Sequence, residues 1–323
     1  MASLKEIKNR IASVHSTRKI TSAMKMVASS KLHHAQVMIE NMLPYENMLE
    51  HILKTFLASE ADAHTVFSEV RPVKKAAIIV YSSNSSLCGG FNANVIKMLQ
   101  KTVTSHPESG LSLDDILVYP VGRKVAEKVV KMGLKPAGDF NDLCDHPNAQ
   151  QCLDVAQAVA AKFAAGEVDK VDLIYHHFKS AGSQILTHRQ FLPIDITEVD
   201  FTAEKGRDLT STIATAESQA YLKKHGQETH IEDVAAKPLN DNFIVEPDMD
   251  TVLSKLIPQY LNLQVYTALL DSNASEHAAR MVAMQTATDN ADELLRQLNL
   301  QYNKSRQQAI TNELLDLAGG SQD

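Results

Sequence analysis

The chain is predicted to be an α/β protein in which its two ends form a long antiparallel coiled coil and the middle forms a domain around a mainly parallel sheet. Three observations predict this. Both ends lack glycine and proline, apolar residues there recur every 3.5 positions, and strand and helix patterns alternate between them.

The first proline is Pro44 and the first glycine is Gly89, while Pro258 is followed by neither until Gly319. Stretches of 43 and 60 residues are thus free of helix breakers. Fully helical, they would reach ~65 and ~90 Å, far beyond the usual dozen residues of a globular helix. The N-terminal seam runs Leu4, Ile7, Ile11, Val14, Arg18, Thr21, Lys25, Ala28, Leu32, Ala35, Ile39, Met42. At the other end it runs Met281, Met284, Thr288, Ala291, Leu295, Leu298, Tyr302, Ser305, Ala309. A period of 3.5 sustained this long describes a left-handed coiled coil, and helices from opposite ends of one chain pair most simply antiparallel. Arg18, Thr21, Lys25, Thr288 and Ser305 interrupt the apolar seam. Such polar positions either fix register inside the coil or face an outside partner, and the many Ala, Ser and Thr residues suit a thin rod within a sheath.

Between the helices, K-A-A-I-I-V-Y (75–81) reads as a buried strand, followed by a helix near 93–104 and a strand at 116–121. Arg123 to Met132 is helical up to Gly133, and Ala149 to Ala165 is helical again. Strands at 171–178 and 184–192, joined by K-S-A-G-S, form a hairpin at the sheet edge. The expected organisation is an N-terminal coiled-coil helix (1–58), a Rossmann-like α/β domain (72–194), an acidic surface insertion (195–247) and a C-terminal coiled-coil helix (248–323). Residues 195–250 carry 13 acidic and five basic side chains, with one amphipathic helix expected at 209–224.

Composition narrows the function. The chain of 323 residues has a formal charge of −7, which argues against a general nucleic-acid binder, yet its first 43 residues carry seven basic and two acidic side chains. No stretch approaches the ~18 apolar residues of a membrane span, and no targeting peptide is evident. Twelve glycines, 5% aromatics and no tryptophan argue against an enzyme built of glycine turns and stacking pockets. Three cysteines (Cys88, Cys144, Cys152) fit a reducing compartment.

Chemical motifs are sparse. S-S-L-C-G-G-F-N (85–92) lies between a strand and a helix but lacks the G-K-[ST] of a phosphate loop, so it reads as a tight turn. Cys88 has no assignable base to make it a nucleophile. His33-His34 and His176-His177 are adjacent pairs whose side chains diverge on helix or strand, so neither pair chelates by itself. S-E-H-A-A-R (275–280) lacks the second histidine of a zinc-protease helix. No catalytic site, cofactor or metal is expected.

Several long motifs carry a family resemblance. I-A-S-V-H-S-T-R-K-I-T-S-A-M-K-M-V-A-S-S-K-L (11–32) resembles the N-terminal helix of gamma subunits of F-type rotary ATP synthases. N-A-S-E-H-A-A-R-M-V-A-M-Q-T-A-T-D-N-A (273–291) and Y-N-K-S-R-Q-Q-A-I-T-N-E-L (302–314) resemble its C-terminal helix. L-C-G-G-F-N (87–92) and I-V-E-P-D (244–248) resemble the family's central turn and the segment leading into the last helix.

The resemblance implies a non-catalytic rotor shaft, one copy per complex, within a ring of three alpha and three beta subunits. Its foot would rest on epsilon and the c-ring, and its membrane association would be peripheral, on the cytoplasmic side of a bacterial membrane. It implies that Arg306, Gln307 and Thr311 meet a catch loop of beta, and that Lys19, Met24 and Lys25 meet beta's acidic lever. Glu276 and Arg280 would serve coupling, Cys88 would lie near beta, and Phe243, Val245 and Glu246 would meet epsilon and the c-ring. The stretch 195–242 is longer than the family's usual connection and contains no cysteine, so a thiol switch of the chloroplast type is not expected there. Two alternatives remain on the residues alone: a coiled-coil adaptor with an α/β head, and a small enzyme using the turn at Cys88.

Overall fold

The computed structural model describes residues 3–59, 66–105, 112–194, 244–246 and 248–319. The insertion, its expected helix at 209–224 and Phe243 lie outside the described residues. Two helices dominate, α1 (Leu4–Ser59) and the last helix, α6 (Met249–Gly319). Each continues through a proline, Pro44 in α1 and Pro258 in α6. Pro44 withholds one backbone donor, but both it and Glu40, whose carbonyl loses that partner, are exposed. Asp248 caps α6: its carboxylate accepts from Thr251 N at 2.7 Å and Thr251 Oγ1 at 2.9 Å. Those hydrogen bonds hold its carboxyl below the usual range.

The chain forms two compact units. The first comprises Met1–Ser29 and Arg280–Asp323, the outer parts of the two helices. Ile7, Thr21 and Ala28 on α1 are buried, as are Met281, Met284, Ala291, Leu295 and Leu298 on α6, following the 3.5-residue seam. The helices run antiparallel there, since Thr21 meets Thr288 while Arg18 meets Asp292.

The second unit, Ser30–Ala279, contains the sheet. Its strands are β1 (Ala76–Tyr81), β2 (Ile116–Val121), β3 (Lys135–Pro136), β4 (Lys170–Ser180) and β5 (Ser183–Leu192), in spatial order β3-β2-β1-β4-β5. All neighbours are parallel except the β4–β5 hairpin. β1 is buried at every position, as a central parallel strand must be. Its pleat sends Ile78 and Val80 into a core with Val95 and Leu99 of α2 (Phe91–Ser105) and Val125 and Val129 of α3 (Arg123–Lys131). Ala77, Ile79 and Tyr81 enter the opposite core. There they meet α5 (Ala149–Ala164), Leu49, Leu53 and Phe56 of α1, and Leu253, Ile257 and Leu261 of α6.

Local signals explain the helix ends. Asn148 caps α5, its side chain accepting from Gln150 N at 2.8 Å. α3 stops where Gly133 takes φ +76°, letting the Gly133 and Leu134 amides return to Val130 and Val129. Among the described residues, four short elements were not anticipated from sequence: the two-residue β3, the single helical turn α4 (Asp142–Asp145) and the 3-10 turns Val66–Ser68 and Leu113–Asp115.

Candidate partner-binding surfaces and the buried polar cluster

On the outer unit, three of the five polar interruptions of the seam, Arg18, Thr21 and Thr288, find partners across the two helices. Thr21 is buried and its Oγ1 lies 2.8 Å from Thr288 Oγ1, while each hydroxyl also donates within its own helix or to this pair. Arg18 Nε sits 2.9 Å from Asp292 Oδ1 with both side chains about half exposed. At these positions the contacts run between the two helices. An exposed ion pair adds at most about 1 kcal/mol. The threonine pair, with Thr21 buried and Thr288 half-buried, adds a direct bond between the two helices, about 1 kcal/mol, while each hydroxyl keeps an acceptor in its own helix.

Other residues on this unit face outward. Lys19 is exposed, and Met24 and Lys25 are half-buried. They do not share one helical face. Beside them Ile20, Met26 and Val27 are exposed apolar side chains, off the seam by their phase and so recognisable only once the seam is assigned. Toward the end of α6, every residue from Arg306 to Leu315 is exposed except the half-buried Ala309. Gln307 and Thr311 share a face, and Thr311 Oγ1 donates to the Gln307 carbonyl at 2.9 Å. Arg306 lies beside them. Ile310, Leu314 and Leu315 add exposed apolar surface to the same helix end. Arg280, in contrast, is buried in this unit.

The sheet-containing unit holds a different set. Cys88 is buried in the turn after β1, where Leu87 and Gly89 take positive φ. Asn92 organises that turn: its side-chain oxygen accepts from Ser83 N at 3.0 Å, and its Nδ2 donates to Cys88 Sγ at 3.1 Å. In sequence Asn92 appears only as the last residue of L-C-G-G-F-N, and the loop it closes is defined only in space. Glu276 is buried on α6. Val245 packs half-buried on the core, whereas Ile244 and Glu246 are exposed beside it.

The two histidines on β4 part company as the pleat requires. His176 turns toward α2 and stacks on Phe91, ring centroids 4.4 Å apart. His177 turns to the other face, its Nδ1 2.8 Å from Asp271 Oδ2 on α6, with both side chains under 5% exposed. Nearby, Cys144 Sγ donates to the Ser82 carbonyl at 3.0 Å. Burial, with the negative charges of Glu276 and Asp145, pushes the Cys144 thiol up; burial raises Cys152 to about 12. Both thiols are therefore protonated and poor nucleophiles.

Burial lowers His176 to about 4 from its ordinary 6.5. Between those values the unfolded chain binds a proton that the folded chain refuses. Stability is thus full above the unfolded value and is lost as pH falls toward the folded one. From about pH 7 to about pH 4.5 this residue should remove about 2–3 kcal/mol. Urea unfolding of wild type and His176→Phe at both pH values should show the variant losing less by that amount. Equal losses would contradict the assignment.

Comparisons with known proteins agree with these features. A family model described as ATP synthase matches residues 3–322. The ATP synthase gamma chain of Phocaeicola vulgatus is 50% identical over 321 residues, covering 99% of each chain. That of Flavobacterium johnsoniae is 38% identical over 323 residues, covering 100% of this chain and 99% of its own. Two solved structures share the fold. One is from the Euglena gracilis mitochondrial ATP synthase (OSCP/F1/c-ring), with TM-score 0.59 and 17% identity over 98% of this chain and 93% of that one. The other is from the Tetrahymena thermophila mitochondrial ATP synthase, central stalk and c-ring, with TM-score 0.52 and 24% identity over 83% and 99%. Since the match runs through both helices and the sheet between them, the chain belongs to the ATP synthase gamma chain family.

Proposed function

We infer that the chain is the central rotor shaft of an F-type ATP synthase. It couples ion-driven rotation of a c-ring to the conformational cycle of catalytic sites on beta subunits, and is itself non-catalytic. The observation that carries this reading is the end of α6, an exposed helix presenting Arg306, Gln307 and Thr311 together with Ile310, Leu314 and Leu315. Uncovered apolar side chains grouped on one helix end call for a surrounding partner.

In this reading three alpha and three beta subunits surround the outer unit. Arg306, Gln307 and Thr311 engage a catch loop of beta. Lys19, Met24 and Lys25 meet an acidic segment of beta, favoured by the net positive charge of the N-terminal helix. Arg280 and Glu276, both buried, act in coupling, where contacts of the shaft change during rotation. Cys88 sits near beta within its turn. Phe243, Val245 and Glu246 form the foot on epsilon and the c-ring. Among the described residues no helix is long and apolar enough to cross a membrane. In this reading attachment at the cytoplasmic face of a bacterial membrane is peripheral, through the c-ring. A shaft changes the relative energies of beta conformations, and its effect equals the difference between its contacts with each.

Affinity purification of the tagged chain from washed membranes tests the reading. Recovery of one copy with alpha, beta and epsilon in a particle hydrolysing Mg-ATP is expected, with the c-ring retained in mild detergent. The chain recovered alone, or with other proteins and no ATPase, would favour the adaptor instead.

A further inference from the structure

We propose that His177, Asp271, Asn273 and Ser275 form a torsional lock that prevents α6 from turning about its own axis against the α/β sheet. The proposal rests on the rotor-shaft reading. A shaft driven from its globular part is useful only if the helix turns with the sheet that carries it.

Apolar packing between the sheet and α6 is non-directional and opposes separation more than rotation. Hydrogen bonds weaken steeply once their angles are lost, so they oppose rotation directly. Four of them tie α6 to three separate elements of the same unit. Tyr81 of β1 donates to the Val265 carbonyl at 2.9 Å. The His177 ring of β4 meets the Asp271 carboxylate at 2.8 Å. Asn273 Nδ2 donates to the Cys144 carbonyl of α4 at 2.6 Å, and Ser275 Oγ donates to the His176 carbonyl at 3.2 Å.

Their placement suits resistance to twist. They span Val265 to Ser275, ~15 Å of helix. At 100° per residue, Asp271 and Asn273 stand ~160° apart around α6, so the helix is held from nearly opposite sides. Asp271, Ser275 and the two histidines are buried, where water cannot replace a broken bond. A purely structural need for helix packing would be met by apolar side chains at these positions at equal or lower energetic cost.

The test uses the assembled complex. His177→Leu/Asp271→Leu removes both members of the pair; Asn273→Leu/Ser275→Ala removes the bond on the opposite side of α6 and a second one ~40° from Asp271. The exchange His177→Asp/Asp271→His restores a pair in reverse order. With the ring immobilised and a bead on the globular part, torsional stiffness from angular fluctuations should fall about twofold or more in both loosened variants. ATP synthesis in energised vesicles should fall about fivefold, while unloaded hydrolysis by the detached alpha–beta–gamma particle stays within about twofold of wild type. The exchanged pair should recover most of the stiffness.

Unchanged stiffness and synthesis in both loosened variants would overturn the lock while leaving the shaft reading intact. Equal loss of unloaded hydrolysis and synthesis, or failure of the loosened chains to assemble, would mark these contacts as serving folding and would also overturn it. If wild-type chain itself formed no ATP-hydrolysing particle, the shaft reading would fall first.

Discussion

Arg306→Ala or Gln307→Ala should reduce coupled ATP synthesis by about 10- to 100-fold, with the chain's own stability nearly unchanged. Both side chains are exposed on α6, and neither makes a side-chain hydrogen bond or ion pair among the described residues. Alanine is at least as good a helix former as either, and such surface changes shift unfolding by within about 0.5 kcal/mol. A hydrogen bond to a charged group of a partner contributes about 1.5–3 kcal/mol, which sets the size of the functional loss. The two quantities should therefore separate. Urea unfolding of the isolated chain and ATP synthesis by reconstituted vesicles measure them independently. Parallel losses in both would remove these residues from the catch contact.

The largest stability effect is expected at Gly122. This residue has φ +103°, and a Cβ built on it would stand 2.5 Å from the Ser82 carbonyl oxygen and 2.8 Å from Ser82 Oγ. Ser82 cannot yield easily. Its N donates to the Val121 carbonyl at 2.8 Å, its Oγ accepts from Val125 N at 3.0 Å, and its carbonyl accepts from Cys144 Sγ at 3.0 Å. Gly122→Ala should thus combine backbone strain with displacement of a buried junction and cost about 3–5 kcal/mol. Gly133→Ala supplies the contrast. It also has positive φ, +76°, but a Cβ there meets nothing within 4 Å, so strain alone applies and about 1–2 kcal/mol is expected. Equilibrium unfolding of the two variants should rank them in that order by a clear margin. Near-equal values would show that Ser82 can move aside.

By itself the sequence determined what depends on near neighbours. Missing glycine and proline permitted the long helices, a 3.5-residue period assigned their buried faces, and Gly133 marked a helix end. Alternation of strands and helices foretold a mainly parallel sheet with a hairpin at its edge. The pleat also foretold that His176 and His177 would diverge, since neighbouring strand residues face opposite ways whatever lies beyond them.

Tertiary structure decided the rest, because it depends on which distant residues meet. Whether Thr21 and Thr288 faced outward or each other turned on helix register, which neither helix contains alone. His177 and Asp271 are 94 positions apart, so their pairing appears in no local pattern. The two-residue β3 is too short to carry a period and exists only because β2 offers it a parallel edge. Glu276 and Arg280 lie in a motif readable in sequence, yet their burial follows from what packs over them. Periodicity belongs to a segment, whereas a partner belongs to the fold.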